Sequence, residues 1–222
     1  NSWWNFDTLP TVNKMDPEFI KFIITDEDSV VAHWLKLGAD GFRLDVADEL
    51  PDEFIALLRK RVKEIKKESY VLGEVWEDAS NKISYSQRRR YLQGAQLDSV
   101  MNYPLQKAII DFVKNKNQQH LKSVILSQIN NFPQTSLLSL MNILSTHDTR
   151  RILTCLGSNK EYKTREEMHN AILTENELIV GKTLLKLAVV LQFMLYGTPC
   201  IYYGDEVGMQ GEKDPNDRLL SR

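Results

Sequence analysis

Short apolar runs alternate along this chain with longer segments of helical periodicity, and this alternation limits the fold more than any other feature. Each run is four or five residues long, the usual length of a strand. Strands that alternate with helices predict a parallel sheet with crossover connections. The predicted strands are residues 41–45, 70–74, 99–102, 140–144 and 199–203.

Apolar residues recur at helical spacing between these runs. In the first such helix Val30, Val31, Trp34 and Leu35 share one face, and Gly38 follows as a stop signal. We predict a short helix over 84–91 and a long surface loop over 158–170. The longer helices are predicted over residues 28–37, 51–65, 105–113, 121–129, 148–156 and 178–196.

The number of strands bears on the size of the sheet. A closed barrel of eight strand and helix units needs about 250 residues, so five units in 222 residues predict a partial barrel. We expect one domain over residues 1–222 and no second domain. The residues alone leave an open five-stranded sheet as the alternative. The first residues contain neither an initiator Met nor a signal peptide, so we expect a chain cut from a longer protein.

Charge and cysteine content exclude several classes of partner. Lys and Arg total 28 against 30 for Asp and Glu, which indicates no nucleic-acid partner. Lys186 and Gln192 interrupt the apolar stretch 184–203, so it predicts a buried helix and strand, and no membrane partner is expected. Cys155 and Cys200 lack metal or redox spacing and are interpreted as buried thiols, which fits a cytoplasmic location.

Three carboxylates stand at the ends of predicted strands: Asp45, Glu74 and, just past its strand, Asp148. Parallel sheets flanked by helices place their ligand sites at the carboxyl ends of the strands, so the three side chains are expected to converge on one pocket. Taken singly, an aspartate at a strand end is more often a cap or turn residue. The coincidence of three favours a functional site.

The neighbours of two carboxylates indicate different roles. Side chains alternate along a strand, so Arg43 shares a face with Asp45 and favours its ionised form, as a nucleophile requires. Glu74 lies in an apolar run, which favours a protonated general acid. One ionised and one protonated carboxyl group are what retaining glycoside hydrolysis uses. Asp148 and His147 would then hydrogen-bond the sugar.

These residues also form recognisable motifs. Residues 41–49 resemble the nucleophile motif of the α-amylase superfamily, residues 73–76 its acid/base motif and residues 145–149 its third-carboxylate motif, in the family's order. Three further segments resemble the neopullulanase, cyclomaltodextrinase and maltogenic amylase group. They are residues 9–13, 98–104 and 197–209.

The resemblance implies a role for each site residue. Asp45 would be the nucleophile, Glu74 the acid/base and Asp148 the transition-state stabiliser, with Arg43 and His147 as substrate-binding partners. The fold would be an α/β (β/α)8 TIM-barrel glycosidase, here a partial barrel containing about strands four to eight.

The reaction implied is hydrolysis of α-1,4 linkages, with α-1,6 linkages as an alternative, in maltooligosaccharides, cyclodextrins, pullulan or starch. Some members of the superfamily bind calcium, but nothing here predicts its ligands, and no metal site or cofactor is assigned.

Further residues are secondary substrate-binding candidates. Asp214 and Arg218 lie in a segment similar to the family's loop after the eighth strand. Trp76 stands two residues beyond Glu74 and is favoured over Tyr103 and Trp3 for stacking on a sugar, although core packing is the commoner use of such rings.

Two alternatives to hydrolysis stay open. The first is that the parent protein is mainly a transglycosylase. Whether a sugar or water accepts the glycosyl group depends on loop shape, so the sequence leaves this alternative open. The second is that the chain by itself is a non-catalytic sugar-binding or structural fragment, since the resemblance implies that an Asn-His motif and three strands of the family's barrel would precede its first residue. Unpaired strand edges in such a fragment predict self-association, for example as a homodimer.

Overall fold

The computed structural model describes residues 2–213 and divides the chain into two compact units. The first unit comprises residues 1–75 and 79–100. The second comprises residues 76–78 and the chain from residue 101 onward.

The first unit contains a parallel sheet of three strands, β1 (Gly41–Leu44), β2 (Tyr70–Gly73) and β5 (Ser99–Val100). Their order in the sheet is β1-β2-β5. In β1 and β2, Gly41 pairs with Tyr70 and Leu44 with Gly73, and Leu72 in β2 pairs with Ser99 in β5. All three strands were predicted from the sequence.

Helix α3, Asp52–Ile65, connects β1 to β2. It buries Phe54, Ile55, Leu58 and Val62, the face that the helical spacing indicates. Pro51 stands just before the first turn, where its missing N–H costs no hydrogen bond. The predicted helix over 51–65 is therefore confirmed.

Four shorter helical segments precede the sheet: a 3-10 turn (Trp3–Asn5), α1 (Pro17–Ile20), a π-helical turn (Lys21–Thr25) and α2 (Val30–Lys36). The Ser29 side chain caps α2 by accepting a hydrogen bond from the Ala32 N–H. The face of α2 differs from the prediction: Val31, Ala32 and Leu35 are buried, whereas Trp34 is 53% exposed.

Residues 84–91 form part of a hairpin, and the predicted helix there is wrong. Strands β3 (Ile83–Ser84) and β4 (Gln87–Arg88) pair in antiparallel fashion. Tyr85 and Ser86 connect them with positive φ angles of 51° and 61°. A two-residue loop with both φ angles positive matches the right-handed twist of the strands, but Tyr-Ser lacks the Asn-Gly signal that reveals such a turn in a sequence.

The second unit consists mainly of helices around a short parallel pair of strands. Met141 and Asn142 in β6 pair with Thr198 and Pro199 in β7, and Met101 forms a parallel bridge to Met141. The elements are α4 (Tyr103–Asn115), α5 (Gln118–Asn131), α6 (Gln134–Leu138), β6 (Met141–Asn142), α7 (Ile152–Gly157), α8 (Arg165–His169), α9 (Glu175–Met194) and β7 (Thr198–Pro199). Helix α8 lies inside the segment predicted as a loop over 158–170.

Helices α7 and α9 pack closely because two glycines face each other. A Cβ atom on Gly181 would lie 3.1 Å from the Gly157 Cα, and one on Gly157 would lie 2.7 Å from the Glu177 carbonyl oxygen. Larger residues would force the helices apart. The same core includes Ile109, Leu144 and Ala188. No described helix is long and apolar enough to cross a membrane.

Both cysteines are free thiols that are half-buried, so the prediction of full burial is wrong. Desolvation raises the pKa of both the Cys155 and the Cys200 thiol. The thiols are therefore uncharged at neutral pH.

Asp98 anchors the first residues of β2 and the end of α3. Its carboxylate lies 2.9 Å from Arg59 Nη2 and 2.9 Å from Lys63 Nζ, and it accepts a hydrogen bond of 2.8 Å from the Val71 N–H. Burial works against ionisation, but these donors outweigh it and lower the pKa of Asp98.

We predict that Asp98→Asn lowers the free energy of unfolding by about 1–3 kcal/mol near neutral pH, because it leaves two partly buried cations without their partner. The pKa of Asp98 in the folded protein lies below its ordinary value of 3.8. The stability that the ionised carboxylate contributes is therefore present above pH 3.8 and is lost as the pH falls through the pKa of the folded protein. Urea unfolding at pH 7 and at about pH 3 measures the effect. Asp28→Asn, at an exposed ion pair with Lys36, is the control; equal losses for both variants would contradict the prediction.

Candidate active site

The chain turns sharply where β1 ends. Val46, directly after Asp45, has a φ of 38° and a ψ of 65°, a left-handed conformation that is unfavourable for a β-branched residue. This conformation is accompanied by a hydrogen bond of 2.8 Å from the Val46 N–H to Glu74 Oε2. The Ala47 N–H donates to the Glu74 carbonyl oxygen at 3.1 Å. The turn therefore binds the end of β2.

Arg43 contacts both candidate catalytic carboxylates of the first unit, those of Asp45 and Glu74. Its Nη1 donates to Asp45 Oδ1, and its Nη2 lies 3.0 Å from Glu74 Oε1. The side chain of Asp45 is 72% exposed, whereas that of Glu74 is 3% exposed. The sequence predicts apolar surroundings for Glu74. Its side chain is buried, but an arginine and a backbone N–H face its carboxylate.

A buried arginine from the hairpin region supports the segment after Asp45. Arg89 Nε lies 2.8 Å from Asp52 Oδ1, and its guanidinium donates to the carbonyl oxygens of Asp48 at 3.0 Å and Leu50 at 2.6 Å. Tyr91 lies 4.8 Å below this guanidinium and donates to Asp48 Oδ1 at 2.5 Å. The sequence analysis assigned Arg89 no such role, because its partners lie about 40 residues away.

Asp148 lies in a compact turn of the second unit. The Thr146 N–H donates to Thr149 Oγ1 at 2.8 Å, and the Asp148 N–H donates to Thr146 Oγ1 at 3.2 Å. His147 Nε2 lies 2.9 Å from Asp148 Oδ2, and Lys213 Nζ lies 3.8 Å from Asp148 Oδ1. The side chains of His147 and Asp148 therefore contact each other, and their predicted hydrogen bonds to a sugar stay a prediction.

Arg151, at the start of α7, is fully buried and joins this turn to the segment after β7. Its guanidinium carbon lies 4.5 Å from the ring centroid of Tyr202 and 4.5 Å from that of Tyr203, and these two centroids are 4.9 Å apart. Its Nη1 donates to the Tyr203 carbonyl oxygen and lies 3.3 Å from Asp205 Oδ1, and Asp205 accepts from Ser145 Oγ. Desolvation raises the pKa of Asp205 despite this arginine.

The sequence analysis did not select Arg151 or Asp205 as functional residues. Two features of the sequence could have pointed to them. Arg151 stands three residues beyond Asp148, and Asp205 lies in the segment 197–209 that resembles the family.

Trp76 stacks on Tyr103, with ring centroids 4.0 Å apart and an angle of 11° between the planes. Lys107 Nζ lies 5.8 Å from the centroid of Trp76. Tyr103 is fully buried, so it serves packing, whereas Trp76 is half-buried. Trp3 stacks on Trp4 at 5.7 Å.

The structure thus brings together Arg43, Asp45 and Glu74 in the first unit, and His147 with Asp148 in the second. The convergence of all three carboxylates stays a prediction. The candidates Asp214 and Arg218 lie outside the described residues. Within residues 2–213 no group of three or more His, Cys, Asp or Glu side chains is arranged to hold a metal ion.

Two acidic side chains at the carboxyl ends of parallel strands, one exposed and one buried, are the arrangement that α/β-barrel glycosidases use. Comparisons with known proteins place the chain more narrowly. The family model "Alpha amylase, catalytic domain" matches residues 5–219, so the chain belongs to the α-amylase family.

Three relatives illustrate the similarity. An amylopullulanase of Thermoanaerobacter thermohydrosulfuricus is 35% identical over 97% of this chain and 15% of its own length. A cyclomaltodextrinase of Bacillus sp is 32% identical over 95% of this chain and 32% of its own length. A cyclic α-maltosyl-(1→6)-maltose hydrolase of Arthrobacter globiformis, solved without ligand, matches with a TM-score of 0.77 and 27% identity over 100% of this chain and 43% of its own.

The fold class predicted from the sequence, a TIM-barrel glycosidase, is confirmed. The chain spans less than a third of the length of the two curated relatives.

We predict that the Arg43–Glu74 pair is strongly coupled. Arg43→Met should lower the free energy of unfolding by about 3 kcal/mol, because it leaves the buried carboxylate of Glu74 without a counter-charge. The loss should shrink when Glu74→Gln is added, and a double-mutant cycle of urea unfolding experiments measures the difference.

The exposed pair Lys21–Glu18 supplies the control cycle, in which Lys21→Met and Glu18→Gln should be additive within about 0.5 kcal/mol. Additive losses in the Arg43–Glu74 cycle would mean that the ion pair contributes nothing to stability.

Proposed function

We propose that the protein hydrolyses α-glucosidic bonds in maltooligosaccharides, cyclodextrins, pullulan or starch through a covalent glycosyl-enzyme. The observation that carries this proposal is the shared contact of Arg43 with an exposed carboxylate, Asp45, and a buried one, Glu74. One guanidinium contacts both groups and so holds them close to each other, and retaining glycosidases use two carboxyl groups about 5–5.5 Å apart. Membership of the α-amylase family and the names of the relatives support the same reaction.

The proposed mechanism assigns the first step to Asp45. Its exposed carboxylate attacks the anomeric carbon, while Glu74, in its protonated form, donates a proton to the leaving glycosidic oxygen. In the second step Glu74 removes a proton from water, which displaces Asp45. Arg43 holds Asp45 in position and compensates its charge.

Asp148 and His147 are proposed to bind sugar hydroxyl groups, in hydrogen bonds that strengthen as the oxocarbenium-like transition state forms. Their mutual contact of 2.9 Å orients both side chains. Trp76, which is half-buried and stacks on Tyr103, is proposed to stack on a sugar as well.

Three further expectations belong to this proposal. Asp214 and Arg218 are expected to take part in substrate binding, the chain to associate as a homodimer, and the protein to act in the cytoplasm. Light scattering of the chain tests the second of these, and a monodisperse monomer would contradict it.

Replacement of the nucleophile tests the reaction. Asp45→Asn should lower the rate of sugar release from maltooligosaccharides and cyclodextrins by at least about 10³-fold, because the amide cannot form the covalent intermediate. Chromatography of the products measures the rate, in this chain and in the full-length product of its gene. Asp40→Asn is the control, since Asp40 is exposed at the opposite end of β1 and pairs with Lys66.

The stereochemistry of the product provides a second criterion. Proton NMR of the first product should show the α-anomer, as two displacements require. The β-anomer, or unchanged activity of Asp45→Asn, would disprove the assigned nucleophile. Bound sugar without release in every preparation would favour the non-catalytic alternative, and transfer products in place of free sugar would favour a transglycosylase.

The role of Glu74 can be separated from that of Asp45 with a substrate whose leaving group needs no proton. Glu74→Gln acting on α-maltosyl fluoride should show a burst of fluoride followed by slow turnover, because the first step then needs no acid whereas the second still needs a base. Stopped-flow detection of fluoride measures the burst. Steady turnover at the rate of the unaltered protein would exclude Glu74 as the acid/base.

A further inference from the structure

Two large aromatic side chains of the first unit are exposed yet held in place. Trp4 is 60% exposed and Tyr85, at the tip of the β3–β4 hairpin, is 71% exposed. Trp4 Nε1 donates to Glu49 Oε1 at 2.9 Å, and Tyr85 Oη donates to the same oxygen at 2.6 Å. We call this group, Trp4 and Tyr85 with Glu49 between them, the aromatic platform.

The backbone of both aromatic residues is unusual. Trp4 has a φ of 46° and Tyr85 a φ of 51°, in the left-handed region that bulky side chains rarely occupy. Such conformations persist where surrounding contacts hold them, and they cluster at ligand sites. The hydrogen bond to Glu49 also raises the pKa of Tyr85, so the phenol keeps its proton and remains a donor at neutral pH.

The chemistry of the platform fits a saccharide. Each ring directs its polar atom to Glu49, which leaves the remaining exposed ring surface apolar. A pyranose ring presents apolar C–H faces and polar edges, and aromatic side chains with few rotatable bonds bind such surfaces at a low cost in entropy. The second carboxylate oxygen of Glu49 supplies an acceptor for a sugar hydroxyl group.

The platform lies on the segment that follows the proposed nucleophile. Glu49 ends a 3-10 turn, Ala47–Glu49, that begins two residues after Asp45. The hairpin contacts the same turn through a hydrogen bond of 3.4 Å from Ser84 Oγ to the Asp48 carbonyl oxygen. A glucan chain that reaches Asp45 therefore has aromatic surface available close to the reacting sugar.

We propose that the aromatic platform is an additional subsite for an extended α-glucan, on which Trp4 and Tyr85 bind sugar units beyond those at the reacting bond. This inference rests on the proposed function, and it adds that longer oligosaccharides bind more tightly than short ones. The competing explanation is that the contacts with Glu49 only tie the first residues of the chain to the hairpin.

Calorimetric titration of maltoheptaose and maltose into the Asp45→Asn chain distinguishes the two explanations, because that variant binds without turnover. Adding Trp4→Ala or Tyr85→Ala should raise the Kd for maltoheptaose about tenfold and leave the Kd for maltose within about twofold. Tyr85→Phe keeps the ring and should change the Kd for maltoheptaose by less than about threefold.

Trp34→Ala is the matched control, since Trp34 is an equally exposed tryptophan on α2 without a contact to Glu49. If the alanine variants lower the Tm but bind maltoheptaose as before, the platform is structural and the subsite is disproved. If the unaltered chain hydrolyses glucans and the alanine variants bind normally, only the subsite fails. If neither hydrolysis nor glucan binding is found in the unaltered chain, both the proposed function and the subsite are overturned.

Discussion

The ion pair between Arg43 and Glu74 is the interaction on which the candidate active site depends. A carboxylate as deeply buried as Glu74 costs several kcal/mol unless donors compensate its charge, and here Arg43 and the Val46 N–H provide them. The same carboxylate offsets the strained backbone of Val46. Because the turn at Val46 follows Asp45 directly, the position of the exposed carboxylate is set by the buried one.

The second unit reaches its stability by a different means, because its strands are only two residues long. Side-chain amides supply the hydrogen bonds that a longer ladder would make: Asn102 Nδ2 donates to Asn142 Oδ1 at 2.9 Å, and Gln192 Nε2 donates to the carbonyl oxygens of Asn142 and Cys200. These groups are buried, so each unmade hydrogen bond would cost about 1–3 kcal/mol. The network therefore supports the pairing of β6 with β7, and Asp205, which pairs with Arg151, accepts a hydrogen bond from Ser145 at the start of the turn that carries Asp148.

The sequence predicts the parts of this structure that local pattern controls. Apolar runs ending in a carboxylate located the strands before Asp45 and Glu74, and helical spacing located α3. The prediction from the sequence failed where contacts between residues distant in the chain determine the local structure. Trp34 is exposed on a helix whose small Ala32 faces the core, and residues 84–91 form a hairpin held by partners in 47–52. Whether Asp148 joins the other carboxylates depends on the arrangement of the two units, which no local pattern encodes.

The motif at residues 41–49 identifies Asp45 but does not reveal the surface next to it. Part of that surface comes from the β3–β4 hairpin, which lies elsewhere in the sequence. The backbone of residues 47–50 is bound by Arg89 and Tyr91, and its side chain Glu49 by Tyr85, all from one segment about 40 residues away. The surface beside the nucleophile turn is therefore built in part by a segment that the motif does not include. The proposed reaction chemistry and the proposed binding of longer substrates thus rest on different segments of the first unit, the strand ends and the hairpin.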